Sequence, residues 1–450
     1  MDATIATLPP GPTGLPLLGN TVPLINDPLR FFRELEKTYG SMATIMSSPQ
    51  PLVICFRPEH VRYFLIEQAQ NFKKPVAGEA AGLKQFLGDG LLTIDGDFHR
   101  QQRRLVQPAF HRHRVDNYAD TMIQFTQEMV AGWQVGTVVD MAQEIQRLTL
   151  RIILKTLFNI DSHAEAARLG RAFTDVIDAP RPAVSVFERL RCINLPFTAY
   201  GKSVQGEQLI KTFVARLIQE RRASGGDVGD VLSMLLAADD KGITMSDQQI
   251  HDHVLTFVAA GHETAQNTLS WTFYLLSQHP DIYSKLKAEL QTVLAGRTPT
   301  LADLPNLPYL EGVVNESWRI YPPAWRMGRE AIADFTLDGH HFPAGTIVLL
   351  SQWVTHNLAD IWGDPEVFRP ERWYAEQPKP PQGAYFPFGL GTHTCIGMPF
   401  AQLEARLLLA TILQSYTPRL EPGFRVTIQP RITMRPQHGL RMVLESASTA

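Results

Sequence analysis

The chain has 450 residues, of which 44% are hydrophobic and 19% charged, and its formal net charge is −3 at pH 7. This composition is typical of a globular protein and excludes collagen-like, coiled-coil and wholly disordered chains. Because 45 acidic residues balance 42 basic ones, the net charge provides no general attraction to nucleic acid or to anionic lipid.

The cysteines and the N-terminus indicate the cellular compartment. Cys55, Cys192 and Cys395 are spaced too widely for a CxxC metal site or a CxxCH haem attachment, and an odd, small number of cysteines is typical of a reducing compartment. No basic residue precedes Arg30, and prolines interrupt the apolar stretch near the N-terminus. We therefore expect a cytoplasmic protein with neither a signal peptide nor a membrane anchor.

The first predicted elements are an extended segment and a hairpin. Residues 1–20 are rich in proline, and the Pro-Pro-Gly-Pro run at residues 9–12 predicts an extended backbone. Two β-type runs at residues 42–46 and 52–56 flank a Ser-Ser-Pro turn. This arrangement predicts a β-hairpin.

The longest predicted element is a helix from about Asp247 to Gln278. Ser246 and Gln249 form a capping box before it, apolar residues recur near a period of 3.6, and Pro280 ends it. At about 1.5 Å per residue the helix would be roughly 45–50 Å long. We expect it to run through the core.

The C-terminal third mixes short strands with helices. A helix from Pro308 to before Pro322 would place Glu316 and Arg319 on one face. Short strands are predicted at residues 335–337 and 346–350, followed by coil and a last helix over about 398–415. Because strands are few and helices come from the whole chain, we expect one mainly α domain over residues 1–450, with a minor β region.

The segment at residues 386–397 carries the clearest chemical signal. Its glycines allow positive φ and close approach to a flat ligand; they are Gly389, Gly391 and Gly397. Cys395 lies just before a helix N-terminus, where the helix dipole favours a thiolate. The alternative is a buried cysteine that packs as a small hydrophobe. The glycines and the paired Phe386 and Phe388 disfavour that alternative.

This segment resembles the haem-binding loop FxxGxxxCxG of the cytochrome P-450 haem-thiolate monooxygenases, with Phe388 as its first residue. Other motifs of that family follow its order along the chain. They are His99–Arg103 for the propionate-binding segment, Ala260–Thr264 for AGx(D/E)T, Glu316–Arg319 for ExxR and Pro370–Trp373 for PERF with Trp in place of Phe. The resemblance covers essentially the whole chain.

The resemblance implies the cytochrome P-450 fold, with haem b between the long central helix and the C-terminal Cys-ligand loop. Cys395 would be the proximal ligand of the haem iron, with Phe388 beside its sulfur and Gly389 and Gly397 in the haem-binding loop. A thiolate ligand pushes electron density onto iron and favours O–O cleavage. Some fatty-acid hydroxylases carry a Glu that esterifies the haem, but this chain has Ala260 there, so we expect a non-covalent haem.

Two charged sets are expected around the haem. Its buried propionates require cationic or hydrogen-bonding partners, and the resemblance assigns this role to His99, Arg103, Arg329 and His393. The alternative for each is a solvated surface side chain. A second set would be structural, with one buried carboxylate held by two guanidinium groups; it consists of Glu316, Arg319 and Arg372.

The Ala-Gly-His-Glu-Thr motif predicts oxygen chemistry on the central helix. Gly261 would leave space for dioxygen, Thr264 would divert a helical carbonyl, and Glu263 would relay protons. This acid–Thr pair favours a monooxygenase over haem-thiolate isomerases and dehydratases. His262-Glu263 also begins an HExxH zinc motif, but Gln266 occupies its last position, so we reject a zinc site.

Two further patterns concern polar surface. The histidine pairs at 111/113 and 251/253 are predicted to be solvated, because residues at i and i+2 face different sides of a helix. The stretch His99–Arg114 contains five arginines and no acidic residue. It has two interpretations, which are a docking face for an acidic electron donor and a plain solvated helix face.

We therefore predict a haem-thiolate monooxygenase that hydroxylates or epoxidises an apolar substrate with O2. Nothing in the sequence resembles a fused reductase, so electrons would come from a separate ferredoxin or flavodoxin with an NAD(P)H-dependent reductase. The resemblance assigns the substrate pocket to Leu83, Phe86, Leu87, Val258, Ala259 and Ala324. These apolar side chains suit a fatty-acid, terpenoid or carotenoid-like molecule. The alternatives are a peroxide-driven peroxygenase, a haem-thiolate isomerase and a non-catalytic haem-binding sensor.

Overall fold

The structure is a computed structural model, and it describes residues 8–47, 51–76, 79–179, 192–226, 228–240 and 242–447. Its described α-helices are α1 (Thr21–Asn26), α2 (Pro28–Tyr39), α3 (Pro58–Arg62), α4 (Glu79–Leu87), α5 (Gly96–Val106), α6 (Arg112–Asp116), α7 (Ala119–Ala131), α8 (Met141–Phe158), α9 (His163–Asp178), α10 (Ala199–Ser224), α11 (Val231–Ala237), α12 (Asp247–Gln278), α13 (Pro280–Leu294), α14 (Pro308–Ile320), α15 (Gln352–Thr355), α16 (Ala359–Trp362) and α17 (Met398–Ser415).

The described strands are β1 (Met42–Met46), β2 (Pro51–Cys55), β3 (Phe72–Lys73), β4 (Val138–Asp140), β5 (Asp239–Asp240), β6 (Ile243–Thr244), β7 (Met327–Ala331), β8 (Phe335–Leu337), β9 (His340–Phe342), β10 (Ile347–Leu350), β11 (Tyr416–Leu420), β12 (Ile428–Pro430), β13 (Met434–Pro436) and β14 (Arg441–Ser446). The prediction of a mainly α fold with a minor β region is confirmed. None of the described helices is both long and apolar enough to cross a bilayer.

Local sequence signals locate several elements correctly. The predicted hairpin forms as an antiparallel pair in which Met42 lies opposite Cys55, although most of its Ser-Ser-Pro turn lies outside the described residues. The central helix α12 has its predicted bounds. Both hydrogen bonds of its capping box are present, because Ser246 Oγ accepts from Gln249 N and Gln249 Oε1 accepts from Ser246 N.

By contacts the chain divides into two compact units, and the prediction of a single domain stays a prediction. Unit 1 comprises Met1–Pro75 and Asn315–Cys395. Its five-stranded sheet has the order β1-β2-β10-β7-β3, in which β10 runs parallel to β2 and the other pairs are antiparallel. Buried aromatic residues such as Phe64 and Phe342 pack on this sheet.

Unit 2 comprises Val76–Val314 and Ile396–Ala450, and it contains most of the helices. Here α12 packs along α8, and α9 packs along α10. The core of this unit is apolar, with Leu150, Val254 and Leu255 fully buried. The strands of unit 2 form a three-stranded sheet in the order β11-β14-β4 and two separate hairpins, β5-β6 and β12-β13.

Candidate active site

In unit 1 the loop before Cys395 is fixed by its backbone. The Cys395 N–H donates to the Phe388 carbonyl over 2.8 Å, which closes the loop on itself. Gly389 and Gly391 adopt positive φ, as predicted. A Cβ at Gly391 would lie 1.9 Å from the Leu65 carbonyl oxygen, so this position requires glycine for its conformation and for its closeness to another backbone.

One expectation about this loop is wrong. Gly397 has a φ of −82° and is the N-cap residue of α17, so it does not use the left-handed conformation that only glycine adopts easily. Cys395 itself is exposed. A buried cysteine that packs as a small hydrophobe would have no exposed surface, so its exposure contradicts that alternative.

Two side chains that the sequence did not single out support this loop. The ring of Trp318 packs edge-on against Phe388, with ring centroids 4.9 Å apart. His356 Nε2 accepts a hydrogen bond from Phe386 N over 3.0 Å. Burial, and then the nearby Arg319 guanidinium, lower the pKa of His356 to about 3. His356 is therefore neutral at physiological pH and able to accept through Nε2.

The predicted structural cluster forms around a fully buried carboxylate in α14. Arg319 donates to both oxygens of Glu316, over 2.9 and 2.8 Å, and Arg372 Nε donates to Oε1 over 3.3 Å. Trp373, which stands where the family motif has Phe, donates its indole N–H to Glu316 Oε2 over 2.9 Å. The departure from the motif thus adds a further donor to the cluster.

The cluster also reaches the segment that leads to the ligand loop. Arg319 Nη1 donates to the His356 carbonyl over 2.9 Å, and His356 in turn accepts from Phe386 N. This chain of hydrogen bonds connects the buried Glu316 to a residue of the ligand loop. It gives the cluster a physical means of holding Cys395 in place.

Two of the four predicted propionate partners lie in unit 1 and two lie in unit 2. In unit 1, Arg329 lies on β7 and is buried, with Nη1 donating to the Gly328 carbonyl, while His393 is half-buried in the ligand loop. In unit 2, His99 is buried on α5 and Arg103 is half-buried one turn later. The buried pair, Arg329 and His99, contradicts the alternative of solvated surface side chains.

The burial of the central helix is interrupted at one small residue, Ala260. Most of α12 is buried, including Val258 and His262, yet Ala260 between them is exposed. Thr264 Oγ1 donates to the Ala260 carbonyl over 2.7 Å, so a hydroxyl lies at this exposed point. The helix nevertheless remains α-helical from Asp247 to Gln278.

The bond made by Thr264 is not special in itself. Thr256, Thr268 and Thr272 on the same helix each donate to the carbonyl four residues earlier over 2.8 Å. Such bonds are a common way for threonine to satisfy its hydroxyl within a helix. What distinguishes Thr264 is therefore its place beside the exposed Ala260.

Gly261 has a packing reason as well as the predicted one. A Cβ at this position would lie 2.9 Å from Ile153 Cδ1 of α8. The missing side chain therefore allows α8 and α12 to approach closely. The predicted role of Gly261 in leaving space for dioxygen stays a prediction.

Glu263 is buried, and its hydrogen-bond partner could not be found from any sequence pattern. Thr433, just before β13, donates its hydroxyl to Glu263 Oε1 over 2.7 Å. Asn267, one turn further along α12, donates Nδ2 to the same hydroxyl oxygen over 3.0 Å. A threonine donates only one hydroxyl proton, so Asn267 and Glu263 fix the orientation of Thr433.

The predicted substrate-contacting residues of unit 2 come together. Phe86, Leu87 and Val258 belong to one buried cluster. Leu83 and Ala259 are partly buried and pack against this cluster. Ala324, the sixth predicted residue, is partly buried in unit 1.

One prediction about polar surface needs correction. His253 is not solvated but completely buried, and its Nε2 lies 2.8 Å from Gln102 Oε1. Burial lowers its pKa to about 4. In the basic stretch, Arg100 pairs with Asp97 and Arg104 with Asp240, so acidic residues outside the stretch or within the same turn neutralise part of its charge.

The residues present fit a haem. Unit 1 offers an exposed cysteine side chain on a hydrogen-bonded loop, with Arg329 and His393 as candidates for carboxylate binding. Unit 2 offers His99 and Arg103 for the same purpose and a small-residue surface at Ala260. Thiolate sulfur and cationic side chains are the groups that an iron porphyrin with two propionates requires.

Comparison with known proteins leads to the same family. The family model described as cytochrome P-450 matches residues 9–440. The chain is 36% identical to cyclooctat-9-en-7-ol 5-monooxygenase of Streptomyces melanosporofaciens, covering 92% of this chain and 90% of that protein. It is 33% identical to pentalenene oxygenase of Streptomyces avermitilis, covering 94% and 92%.

The fold agrees with these matches. The structure resembles that of a retinoic acid-bound cyanobacterial cytochrome, with a TM-score of 0.87, 29% sequence identity, and coverage of 98% of this chain and 99% of that chain. The chain is therefore a member of the cytochrome P-450 family of haem-thiolate monooxygenases.

Proposed function

We propose that this monooxygenase oxidises an apolar terpenoid, that Cys395 would bind the haem iron as a thiolate, and that Glu263 and Thr264 supply protons. The observation that carries the site assignment is the exposed Cys395 side chain. Its loop is fixed by hydrogen bonds at both ends, at Phe386 and at Cys395. A cysteine held in this way is oriented before any ligand binds.

Bound haem supplies dioxygen activation and the insertion of one oxygen atom into the substrate. The chain's contribution is to hold and orient the group. Cys395 would ligate the iron, and the side chains proposed to bind the propionates are His99, Arg103, Arg329 and His393. The burial of His99 and Arg329 supports this role, because neither is a solvated surface side chain.

The proton-supplying role rests on the chemistry of two neighbouring residues. The second oxygen atom of O2 leaves as water, which consumes two protons. Glu263 is a buried carboxylate whose Oε1 is held by the Thr433 hydroxyl, and Thr264 places a hydroxyl at the exposed point of α12. An acid and a hydroxyl on adjacent residues can hold and pass a proton.

The pocket wall and the relatives both favour a terpenoid substrate. The predicted wall residues of unit 2 are all apolar and form one cluster, which favours a ligand with few polar groups. Two relatives at 36% and 33% identity are named for the oxidation of cyclooctat-9-en-7-ol and of pentalenene. A terpenoid therefore agrees better with both observations than a charged fatty acid does.

Members of the family take electrons from a redox partner, and we propose a ferredoxin or flavodoxin with its NAD(P)H-dependent reductase. Arg112, His113 and Arg114 at helix α6 are exposed, which suits an acidic donor. None of the three cysteines, all of which the structure describes, forms a disulfide. This supports the proposal of a cytoplasmic, reducing environment.

A binding and turnover experiment tests the proposal. The haem-loaded protein is mixed with cyclooctat-9-en-7-ol and pentalenene, which appear in the names of two relatives, and with retinoic acid, which is bound in the similar cyanobacterial structure. Lauric acid serves as the fatty-acid comparison. We expect a terpenoid to shift the Soret band as water leaves the iron, and a product with one added oxygen atom when a ferredoxin system is present. A response to lauric acid alone would overturn the terpenoid assignment. Turnover with peroxide but not with the redox system would favour a peroxygenase.

A further inference from the structure

A buried carboxylate on α12 holds the loop that follows helix α4. Asp252 is only 5% exposed. Its Oδ2 accepts from Asp89 N over 2.8 Å, its Oδ1 accepts from Gln248 Nε2 over 2.8 Å, and His251 Nδ1 lies 3.1 Å from the same Oδ1. Burial would raise the pKa of Asp252, but the hydrogen bonds from His251, Asp89 and Gln248 outweigh burial and lower it. Asp252 is thus an ionised acceptor.

The loop touches α12 at distances that only glycine permits. At Gly88, which has a φ of +64°, a Cβ would lie 2.3 Å from Asp252 Oδ2. At Gly90 a Cβ would lie 2.0 Å from Thr256 Oγ1 and 2.5 Å from the Asp252 carbonyl oxygen. The Gly88-Asp89-Gly90 loop therefore lies directly on α12, with Asp252 at the centre of the contact.

The same loop fixes the end of α4. Gly88 N donates to the Lys84 carbonyl over 2.9 Å, and Lys84 Nζ lies 2.9 Å from Asp89 Oδ1. Helix and loop are therefore one connected segment. Phe86 and Leu87, the last residues of that helix, are buried in the same cluster as Val258, which lies less than two turns after Asp252 on α12.

We propose that Asp252 is a positioning residue that fixes α4 against α12 and thereby determines which ligands the distal site accepts and where the substrate is oxidised. The inference rests on the proposed function, because it takes Leu83, Phe86 and Leu87 as part of the substrate wall. Without the carboxylate, the Asp89 N–H loses its buried acceptor, and the loop and α4 lose their fixed distance from Val258.

The test compares a small and a bulky haem ligand, so that it does not depend on knowing the substrate. Imidazole and 4-phenylimidazole are titrated into the haem-loaded wild type, Asp252→Ala and Asp252→Asn, and the Soret shift gives each dissociation constant. Asp303→Ala is the matched control. Asp303 is a buried carboxylate of the same unit that accepts hydrogen bonds from Arg297 and Thr300.

We expect Asp252→Ala to weaken 4-phenylimidazole binding by about tenfold and imidazole binding by less than about twofold. Asp252→Asn keeps an oxygen that can accept from Asp89 N but loses the charge, so it should weaken 4-phenylimidazole binding less, by about threefold. Asp303→Ala should leave the ratio of the two constants as in the wild type. Hydrogen exchange of the Asp89 amide should be faster in both Asp252 variants than in the control.

The inference is overturned if the ratio of the 4-phenylimidazole and imidazole dissociation constants is the same in Asp252→Ala as in the wild type. Asp252 would then have a purely structural role. If Asp252→Ala does not retain haem, the decision falls on Asp252→Asn. Unchanged Asp89 exchange together with an unchanged ligand ratio in that variant would overturn the inference. Failure of the terpenoid proposal is a separate result, because it would be seen as the absence of a terpenoid response in the wild type.

Discussion

The ligand loop of unit 1 and the central helix of unit 2 are held in different ways. Around the ligand loop the contacts are many and close, since Glu316 accepts from four neighbours and Gly391 has no room for a side chain. The central helix is regular over its whole length. Its chemistry depends on individual groups, namely the Thr264 hydroxyl and the Glu263 carboxylate.

This difference indicates how substitutions should act in the two regions. A change in the ligand loop or its supporting cluster removes a buried charge partner or forces backbones apart, so it should lower stability and haem retention together. A change of one hydroxyl on α12 leaves the helix intact, because alanine is a better helix former than threonine. Such a change should affect the chemistry without unfolding the protein.

The largest effect is expected from Glu316→Ala. This change leaves the Arg319 guanidinium, which is 0% exposed, without its carboxylate, and loss of one partner of a buried ion pair costs about 3–5 kcal/mol. Urea unfolding and the fraction of purified protein that carries haem measure the effect. Glu311→Ala is the control, because Glu311 is 53% exposed in its pair with Arg406 and should cost less than about 1 kcal/mol. Equal losses in both variants would contradict the buried role.

The second prediction separates the free-energy cost of crowding from the cost of backbone conformation in the ligand loop. Gly391 and Gly363 both have a φ of +69°, but only Gly391 lies against a neighbouring backbone. Gly363→Ala should therefore cost about 1 kcal/mol for its conformation, and Gly391→Ala about 1–3 kcal/mol more for crowding. Unfolding midpoints of the two haem-loaded variants provide the comparison. If both fall equally, the Leu65 carbonyl is not the limiting contact.

The third prediction concerns the central helix. Thr264→Ala should retain haem and its thiolate-type ferrous carbonyl spectrum, while product formed per NAD(P)H falls by about tenfold and hydrogen peroxide rises. Thr272→Ala is matched to it, because Thr272 makes the same bond to the carbonyl four residues earlier but is not the residue beside Ala260. Coupling that stays at the wild-type value in Thr264→Ala would remove this residue from the proton-supplying role.

The fourth prediction tests the residue by which this chain departs from the family motif. Trp373→Phe restores the motif but removes the indole N–H that reaches Glu316 Oε2. Loss of one hydrogen bond to a charged group should lower the free energy of unfolding by about 1–2 kcal/mol, with Arg319 and Arg372 still in place. Thermal unfolding of the haem-loaded protein measures it. A variant as stable as the wild type would show that the arginines alone satisfy the carboxylate.

Much of the fold could be predicted from the sequence because its signals are local. The capping box and proline that bound α12 lie next to the helix they define, and the family motifs named Cys395, Glu316 and Thr264 directly. The remaining partners are distant in sequence. Thr433 reaches Glu263 across 170 residues and Asp89 reaches Asp252 across 163, so no periodicity or spacing joins them. The burial of His253 was missed for the same reason, since its partner Gln102 lies on α5.

The smallest effect should come from one of these distant partners. Thr433→Val removes the hydroxyl that Glu263 Oε1 accepts from and that Asn267 Nδ2 donates to, without changing the size of the side chain. The carboxylate keeps its place on α12 but loses a donor that orients it, so product per NAD(P)H should fall by about threefold or less. Thr433→Ser keeps the hydroxyl and should behave as the wild type. If valine and serine give the same coupling, the hydroxyl does not act on Glu263, and proton supply depends on the groups of α12 alone.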